Sequence, residues 1–295
     1  MDASFDPVAH AAIRTALARE SYRDDTLRLV ETDFADARWL VSTQNGLFTL
    51  TETRAHLVAH GWFFGLTRRG DRVFMFENCA RRDRHLAMGR LIACDVVDRA
   101  LRNPVVLAKD LDAGCHQIAV VDDVLCVLDT ANQCVLRFTE GGESLGPQRP
   151  FESDADYLHI NAIAALEDGA AVLAHNGKRP SLLIRFDRQW HETARTLLPA
   201  PGCHDILCDH QGTLWHCASM SGEIISSGGL RVPVAPERMT RGLMFDDDRI
   251  LIGASVFGER SERDVLPGSV IMMNRDFVRI AEVPVAGPPA CIIAL

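Results

Sequence analysis

Gly114-Cys115-His116-Gln117-Ile118, Leu158-His159-Ile160-Asn161-Ala162 and Gly202-Cys203-His204-Asp205-Ile206 share one plan: a His stands at the head of an apolar run. Met239-Thr240-Arg241-Gly242-Leu243 repeats the plan with Arg in place of His. A turn follows each head, at Asp122-Asp123, Glu167-Asp168-Gly169, His210-Gln211-Gly212 and Asp246-Asp247-Asp248. A second apolar run follows each turn, as in Val124-Leu125-Cys126-Val127-Leu128 and Thr213-Leu214-Trp215-His216-Cys217. The copies recur roughly every 45 residues, the period of a four-stranded propeller blade. In that architecture the heads of the innermost strands meet around one axis, so residues far apart in sequence face each other.

Working outward from these copies, Trp39–Thr43 and Leu47–Thr51 flank Gln44-Asn45-Gly46, a hairpin signal. A further unit starts at Gly61-Trp62-Phe63-Phe64 and turns at Arg69-Gly70-Asp71. The first unit lacks a strand at its head, and Pro288–Leu295 reads as a lone strand at the other terminus. Pairing the two completes a ring and leaves no open sheet edge. The heads are then Phe64, His116, His159, His204, Arg241 and Cys291. The expected fold is all-β, a six-bladed propeller over residues 37–295, preceded by a helical extension over 1–36. Two β-sandwiches would need a linker near the middle; the only candidate, Gly141–Pro150, falls inside a repeat, and its Gly141–Pro147 part reads as a polar, Gly-rich loop.

Asp6-Pro7 reads as an N-cap followed by the first helical residue. The helix that follows places Ala9, Ile13, Ala16 and Leu17 on one face, expected to lie against the domain. Charged excursions such as Gly258–Asp264 mark long loops, where binding function concentrates.

The net charge of −9 argues against a nucleic-acid or acidic-membrane surface. No apolar stretch is long enough to span a bilayer. Met1-Asp2-Ala3-Ser4-Phe5-Asp6 has neither a basic nor an apolar leader region, and most of the nine Cys lie in apolar runs. The reading is a cytoplasmic protein with reduced, buried thiols. No Walker loop, Rossmann glycine fingerprint or Gly-x-Ser-x-Gly elbow is present.

The segment His204-Asp205-Ile206-Leu207-Cys208-Asp209-His210-Gln211-Gly212-Thr213-Leu214-Trp215 resembles the D-G-x-x-x-D-x-x-G-x-L-W run of the regucalcin/gluconolactonase (SMP-30) and strictosidine-synthase-like six-bladed propellers. Asn161–Gly169 is similar to that family's N-G-L-x-x-S-x-D-G. The resemblance puts His204 where the family has a metal-binding Asp, and Asn161 on its metal-binding Asn. The family's Glu ligand of the first blade has no counterpart here, and imidazoles stand where oxygen ligands are usual.

Three imidazoles on one axis suit a divalent transition metal (iron, zinc or copper) rather than calcium, which takes six or more oxygens. The expected ligands are His116, His159 and His204. Asn161, Asp205 and Arg241 are the expected catalytic residues: Asn161 and Asp205 outside the metal's own ligands, in contact with those ligands or with substrate, and Arg241 on a substrate carboxylate or phosphate. His175, Asn176 and His216 fall on second strands, farther from the axis, and His191 on an outer strand or loop. Cys115 and Cys203 read as buried thiols. The expected function is a metal-dependent enzyme acting on a small-molecule substrate, hydrolytic or oxygen-activating. The alternative is a non-catalytic propeller that binds a ligand or protein through its loops.

Overall fold

The structure is a computed structural model that describes residues 7–30, 36–83, 85–152, 157–259 and 266–295. A helix, α1 (Pro7–Arg23), precedes the strands. The first blade contains β1 (Trp39–Thr43), β2 (Gly46–Leu50) and β3 (Ala55–Ala59); the second is β4 (Phe63–Arg69), β5 (Arg72–Asn78), β6 (Gly89–Val97) and β7 (Ala100–Leu111). The third is β8 (Ile118–Val121), β9 (Val124–Asp129), β10 (Cys134–Phe138) and β11 (Ser144–Gln148); the fourth is β12 (Ile160–Leu166), β13 (Gly169–Ala174), β14 (Pro180–Asp187) and β15 (Glu192–Pro201). The fifth is β16 (His204–Cys208), β17 (Leu214–Ala218), β18 (Glu223–Ser226) and β19 (Arg231–Pro233); the sixth is β20 (Arg238–Phe245), β21 (Ile250–Val256), β22 (Gly268–Met273) and β23 (Arg279–Val285). The last strand, β24 (Pro289–Ala294), is the innermost strand of the first blade and pairs antiparallel with β1, Leu40 opposite Ile293.

The innermost strands close a ring: β4 packs on β8, β8 on β12, β12 on β16, β16 on β20, β20 on β24, and β24 back on β4. Six antiparallel sheets of four strands thus surround one axis among the described residues. The core lies between blades. Cys126, Leu128 and Val135 of the third pack on Ile163, Val172 and Ile184 of the fourth, and Trp215 and Ile224 of the fifth pack on Leu243 and Ile252 of the sixth.

Each inner strand departs from regular pairing near its start. In β12 the register steps over Asn161, in β16 over Asp205, in β20 over Gly242, and in β24 over Ala290. The step in β4 falls between Phe63 and Leu66. In the third blade the His116 N–H and the Gln117 carbonyl both bond to Leu128. A bulge of this kind kinks a strand and re-aims the side chains beside it. Gly65 must lack a side chain here, since a Cβ would lie 2.5 Å from the Ile118 nitrogen of the next blade. Gly242 adopts a positive φ of 76° within its bulge.

Three expectations change. The polar stretch Gly141–Pro147 is not all loop, because Ser144–Gln148 pairs with β10 as the outer strand of its blade. The helix does not bury Ile13 and Leu17, which are exposed, and of residues 12–23 only Ala18 is buried. Polar anchors hold α1 instead: Arg14 to Asn45, Arg19 to Asp83, and the Tyr22 hydroxyl to Asp110 at 2.6 Å. Asn45, Asp83 and Asp110 all sit at the end where the inner strands begin, so the helix lies across that face over the first two blades. The Asp6 cap and residues 260–264 of the charged excursion lie outside the described residues. No helix among the described residues is long and apolar enough to cross a membrane. All nine cysteines are free thiols and eight are buried. Burial pushes their acidity down; the Cys94 thiol, for example, is raised to about 12.

Candidate axial site

The bulges build the site. Phe64, His116, Gln117, Asn161, His204, Asp205, Arg241 and Ala290 line one hollow at the axis. These are the bulged residues and the residues just before them, delivered by all six blades. The hollow measures about 10 Å³, roughly the least that admits a single water molecule.

Two imidazoles are held in the same way. His116 Nδ1 lies against the Gly114 carbonyl and 2.9 Å from the Thr130 hydroxyl. His204 Nδ1 lies 3.0 Å from the Gly202 carbonyl and 3.0 Å from the Ser219 hydroxyl. Each hydroxyl spends its hydrogen elsewhere: Thr130 donates to the Ile160 carbonyl at 2.7 Å and Ser219 to the Thr240 carbonyl at 2.6 Å. A hydroxyl has one hydrogen and a carbonyl has none. A proton therefore sits on Nδ1 of both rings, and in the neutral ring Nε2 carries the basic lone pair. Burial, the Arg241 cation and the neighbouring His175 and His116 rings hold the His204 imidazole well below its ordinary titration range.

Asn161 is buried and donates from Nδ2 to the Cys203 carbonyl at 3.0 Å. That bond fixes the amide, because a flipped amide would set two acceptors against each other. Its Oδ1 is buried with no hydrogen-bond partner among the described residues. Asp205 accepts from Gln117 Nε2 at 2.7 Å and from the Gly242 N–H at 2.7 Å. Gln117 Oε1 in turn accepts from the Ile163 N–H at 3.1 Å. This bridge ties four blades across the axis. Burial raises the Asp205 carboxyl to about 6, against the lowering effects of Arg241 and the two donors.

The predicted residues are brought together unevenly. His116, His204, Asn161, Asp205 and Arg241 line the hollow; His159 does not. Counted from the bulge, His116, His204 and Arg241 are the preceding residues, and the match in the fourth blade is Ile160. His159 stands one residue earlier, at a positive φ of 54°. Among the described residues no three His, Cys, Asp or Glu side chains gather as a metal-holding group, so the three-imidazole set is not assembled.

His175, expected farther out, does not line the hollow but packs against His204, which does. Its ring centroid is 5.4 Å from that of His159 and 5.4 Å from that of His204. With His116 stacked on Phe64 at 5.1 Å and touching His159 at 5.3 Å, the rings form an arc around the axis. His175 follows directly on β13, and a second strand returning to the first strand's start brings the chain there, the His175 N–H donating to the His159 carbonyl at 3.0 Å. Thr130 and Ser219 follow the second strands of their own blades, a repeated hydroxyl that was present in the sequence as a signal.

His216 lies on β17, opposite Ile206 and away from the hollow, as its second-strand position implies. Burial lowers it to about 4. In the unfolded chain it titrates near 6.5, so unfolded chains bind protons first and stability falls as pH drops from about 6.5 to about 4, by on the order of 3 kcal/mol. Asp205 acts oppositely: the folded chain takes its proton first, near 6, and acid adds stability down to about 4. His216→Leu should therefore shrink the stability lost between pH 7 and 4.5 by about 2–3 kcal/mol in urea melts at the two pH values. An unchanged loss would show that His216 is not held neutral.

At the opposite end a hollow of about 300 Å³ lies among Leu207, His210, Phe245 and Arg275. The Arg275 guanidinium is turned to the Asp246 and Asp247 carbonyls.

No family model matches the chain, and no curated protein matches it in sequence. Solved structures match its fold. A protein of unknown function from Bacteroides caccae superposes with a TM-score of 0.59 at 10% identity, over 88% of this chain and 99% of that one. A chain of a nidogen/laminin complex gives 0.64 at 9% identity, over 87% and 97%. Virginiamycin B lyase from Staphylococcus aureus gives 0.47 at 13% identity, over 76% and 84%. The first two share the fold; at these identities they say nothing of activity.

Proposed function

We propose that the axial hollow is the active site of an enzyme acting on a small molecule, with a divalent transition metal (iron, zinc or copper) bound by Nε2 of His116 and His204 and Oδ1 of Asn161. The observation that carries this reading is the buried Asn161 Oδ1 without a partner, set beside two imidazoles whose protons are tied away from their Nε2 atoms. Leaving a buried acceptor unsatisfied costs about 1–3 kcal/mol, and a hollow of this size offers it one small occupant. Imidazoles that donate Nδ1–H to a carbonyl are oriented as metal ligands usually are. Such an ion would polarise a bound carbonyl, acidify a bound water or, as iron or copper, bind oxygen.

The chain's own groups supply the rest. Arg241 meets an anionic group of the substrate. Asp205 positions Gln117 and the Gly242 bulge rather than touching the reacting atoms. Two neutral nitrogens and an amide oxygen form a ligand set without charge, which leaves Arg241 compatible with a cation nearby once an anionic substrate is present.

The test is elemental analysis of protein purified without chelators from metal-replete growth. About one equivalent is expected, and His116→Ala, His204→Ala and Asn161→Ala should each lose most of it. His159→Ala should keep it. Because His204 is held neutral below the ordinary imidazole range, metal should stay bound to a lower pH than an exposed His near 6.5 would allow. Less than about a tenth of an equivalent in the unaltered protein would remove the metal, and the propeller would then stand as a ligand-binding module.

A further inference from the structure

The hollow is too small for a substrate, so any molecule that reaches it must leave its body outside, on the face where the inner strands begin. There the imidazole arc continues into exposed apolar side chains. Tyr157 is 54% exposed and Met220 is 55% exposed. The Tyr157 ring lies 5.8 Å from that of His159, edge to face, and its hydroxyl donates to the Thr130 carbonyl at 3.0 Å. Met220 lies on the other side: a Cβ built on Gly202 would meet its Cγ at 3.1 Å and His175 Nε2 at 3.3 Å. Tyr157 and Met220 thus flank the stretch of the arc made by His159, His175 and His204.

The character of this surface is specific. His159 and His204 each lie 5.4 Å, centroid to centroid, from His175, with the rings tilted or edge to face, so the three form a run of flat unsaturated faces. Aromatic rings and thioethers favour flat unsaturated partners. Arg241 lines the hollow and carries its charge to His175, His204 and Asp205. Resting on the axial site being the functional one, we infer that the ligand is a small anion with a flat aromatic or unsaturated body: the anionic head at Arg241, the body across the arc between Tyr157 and Met220. Gly202 is part of the fit, since a side chain there would fill the space between Met220 and His175.

The experiment is calorimetric titration with 2-naphthoate, with acetate as the head alone and 2-naphthol as the body alone, on both chelator-stripped and metal-replete protein. Binding of 2-naphthoate to the stripped protein is expected to be at least tenfold tighter than either fragment. Arg241→Gln should bring 2-naphthoate to the level of 2-naphthol, and Arg241→Lys should restore part of the difference. Tyr157→Ala and Met220→Ser, both at exposed positions, should each weaken 2-naphthoate several-fold and leave acetate unchanged. Equal affinity for 2-naphthoate and 2-naphthol would overturn the inference, as would binding indifferent to Arg241→Gln or to both surface variants. The two readings fail separately. Stoichiometric metal without this binding pattern sinks the ligand class and leaves the metal site, and the pattern in a protein that holds no metal does the reverse.

Discussion

A chain ending at Pro288 is expected to lose its cooperative thermal transition and to aggregate. The seven residues removed are β24, the inner strand of the first blade, together with Leu295. Without them β1 loses a full ladder, from Trp39 opposite Ala294 to Thr43 opposite Pro289. The Leu295 N–H no longer reaches the Arg38 carbonyl, a bond of 2.8 Å. Cys291 and Ile292, both buried, leave two different inter-blade cores. The ring contacts of β24 with β4 and β20 vanish as well. A long strand edge lined by apolar side chains is then open to pairing with another chain. Circular dichroism melts and size-exclusion chromatography provide the check. A truncated chain that elutes as the full one and melts within a few degrees of it would show that closure contributes little.

Arg90→Met is the second variant expected to have a large effect. Arg90 and Glu77 pair at 2.7 Å with both side chains fully buried. The same guanidinium donates to the Ser21 carbonyl at 2.8 Å and hydroxyl at 2.8 Å, in the last turn of α1, and to the Asp24 carbonyl at 3.0 Å just beyond it. Removing one partner of a buried ion pair strands the other, which costs about 3–5 kcal/mol. Burial already raises the Glu77 carboxyl, so part of that cost would be met by its taking up a proton. Helix α1 should come loose too, because its end has lost its anchor. Urea melts report the stability, and limited proteolysis near residues 20–26 reports the helix. The double variant Glu77→Leu/Arg90→Met should recover stability without protecting the helix from cleavage. A loss below about 1 kcal/mol in the single variant would mean that the pair contributes little, as exposed pairs do.

Much of the architecture was legible because it is written in periods. The apolar runs, their turns and the recurring heads set the blade count, and the lone C-terminal run met the unpartnered first unit. Within His204–Trp215, which with Asn161–Gly169 carries the family resemblance, the part from Asp209 onward is a folding device. Asp209 accepts from the Gln211 and Thr213 N–H groups and from Trp215 Nε1, all at 2.9 Å, while Gly212 takes a φ of 78°. It therefore speaks for the turn of a blade and not for chemistry.

The site was only half legible. A bulge changes which residue faces the axis, and a one-residue step is invisible to a pattern that counts heads, which is why His159 reads as the equal of His116. The packing of His175 on His204 escaped because where a residue just past a second strand comes to lie follows only when the strand lengths are known. The helix was misread because Ile13 and Leu17 fit an amphipathic period, whereas Arg90 and a few polar anchors decide how it sits. Asn161 was singled out, but the lack of a partner at its Oδ1 needed coordinates.

The hydroxyls of Thr130 and Ser219 span blade seams, each taking a proton contact from its own blade's imidazole and delivering its hydrogen to the next blade's carbonyl. The Gly114 and Gly202 carbonyls keep each proton on Nδ1, while the hydroxyls fix how each ring is aimed. Were a seam to widen, the hydroxyl would be drawn off its ring, and the imidazole, held by its carbonyl alone, would be free to tilt its Nε2 away from the axis. Blade spacing is in this sense a setting for the direction of the site's lone pairs, and a change at the rim of the molecule can alter the axial geometry without replacing any residue that lines it.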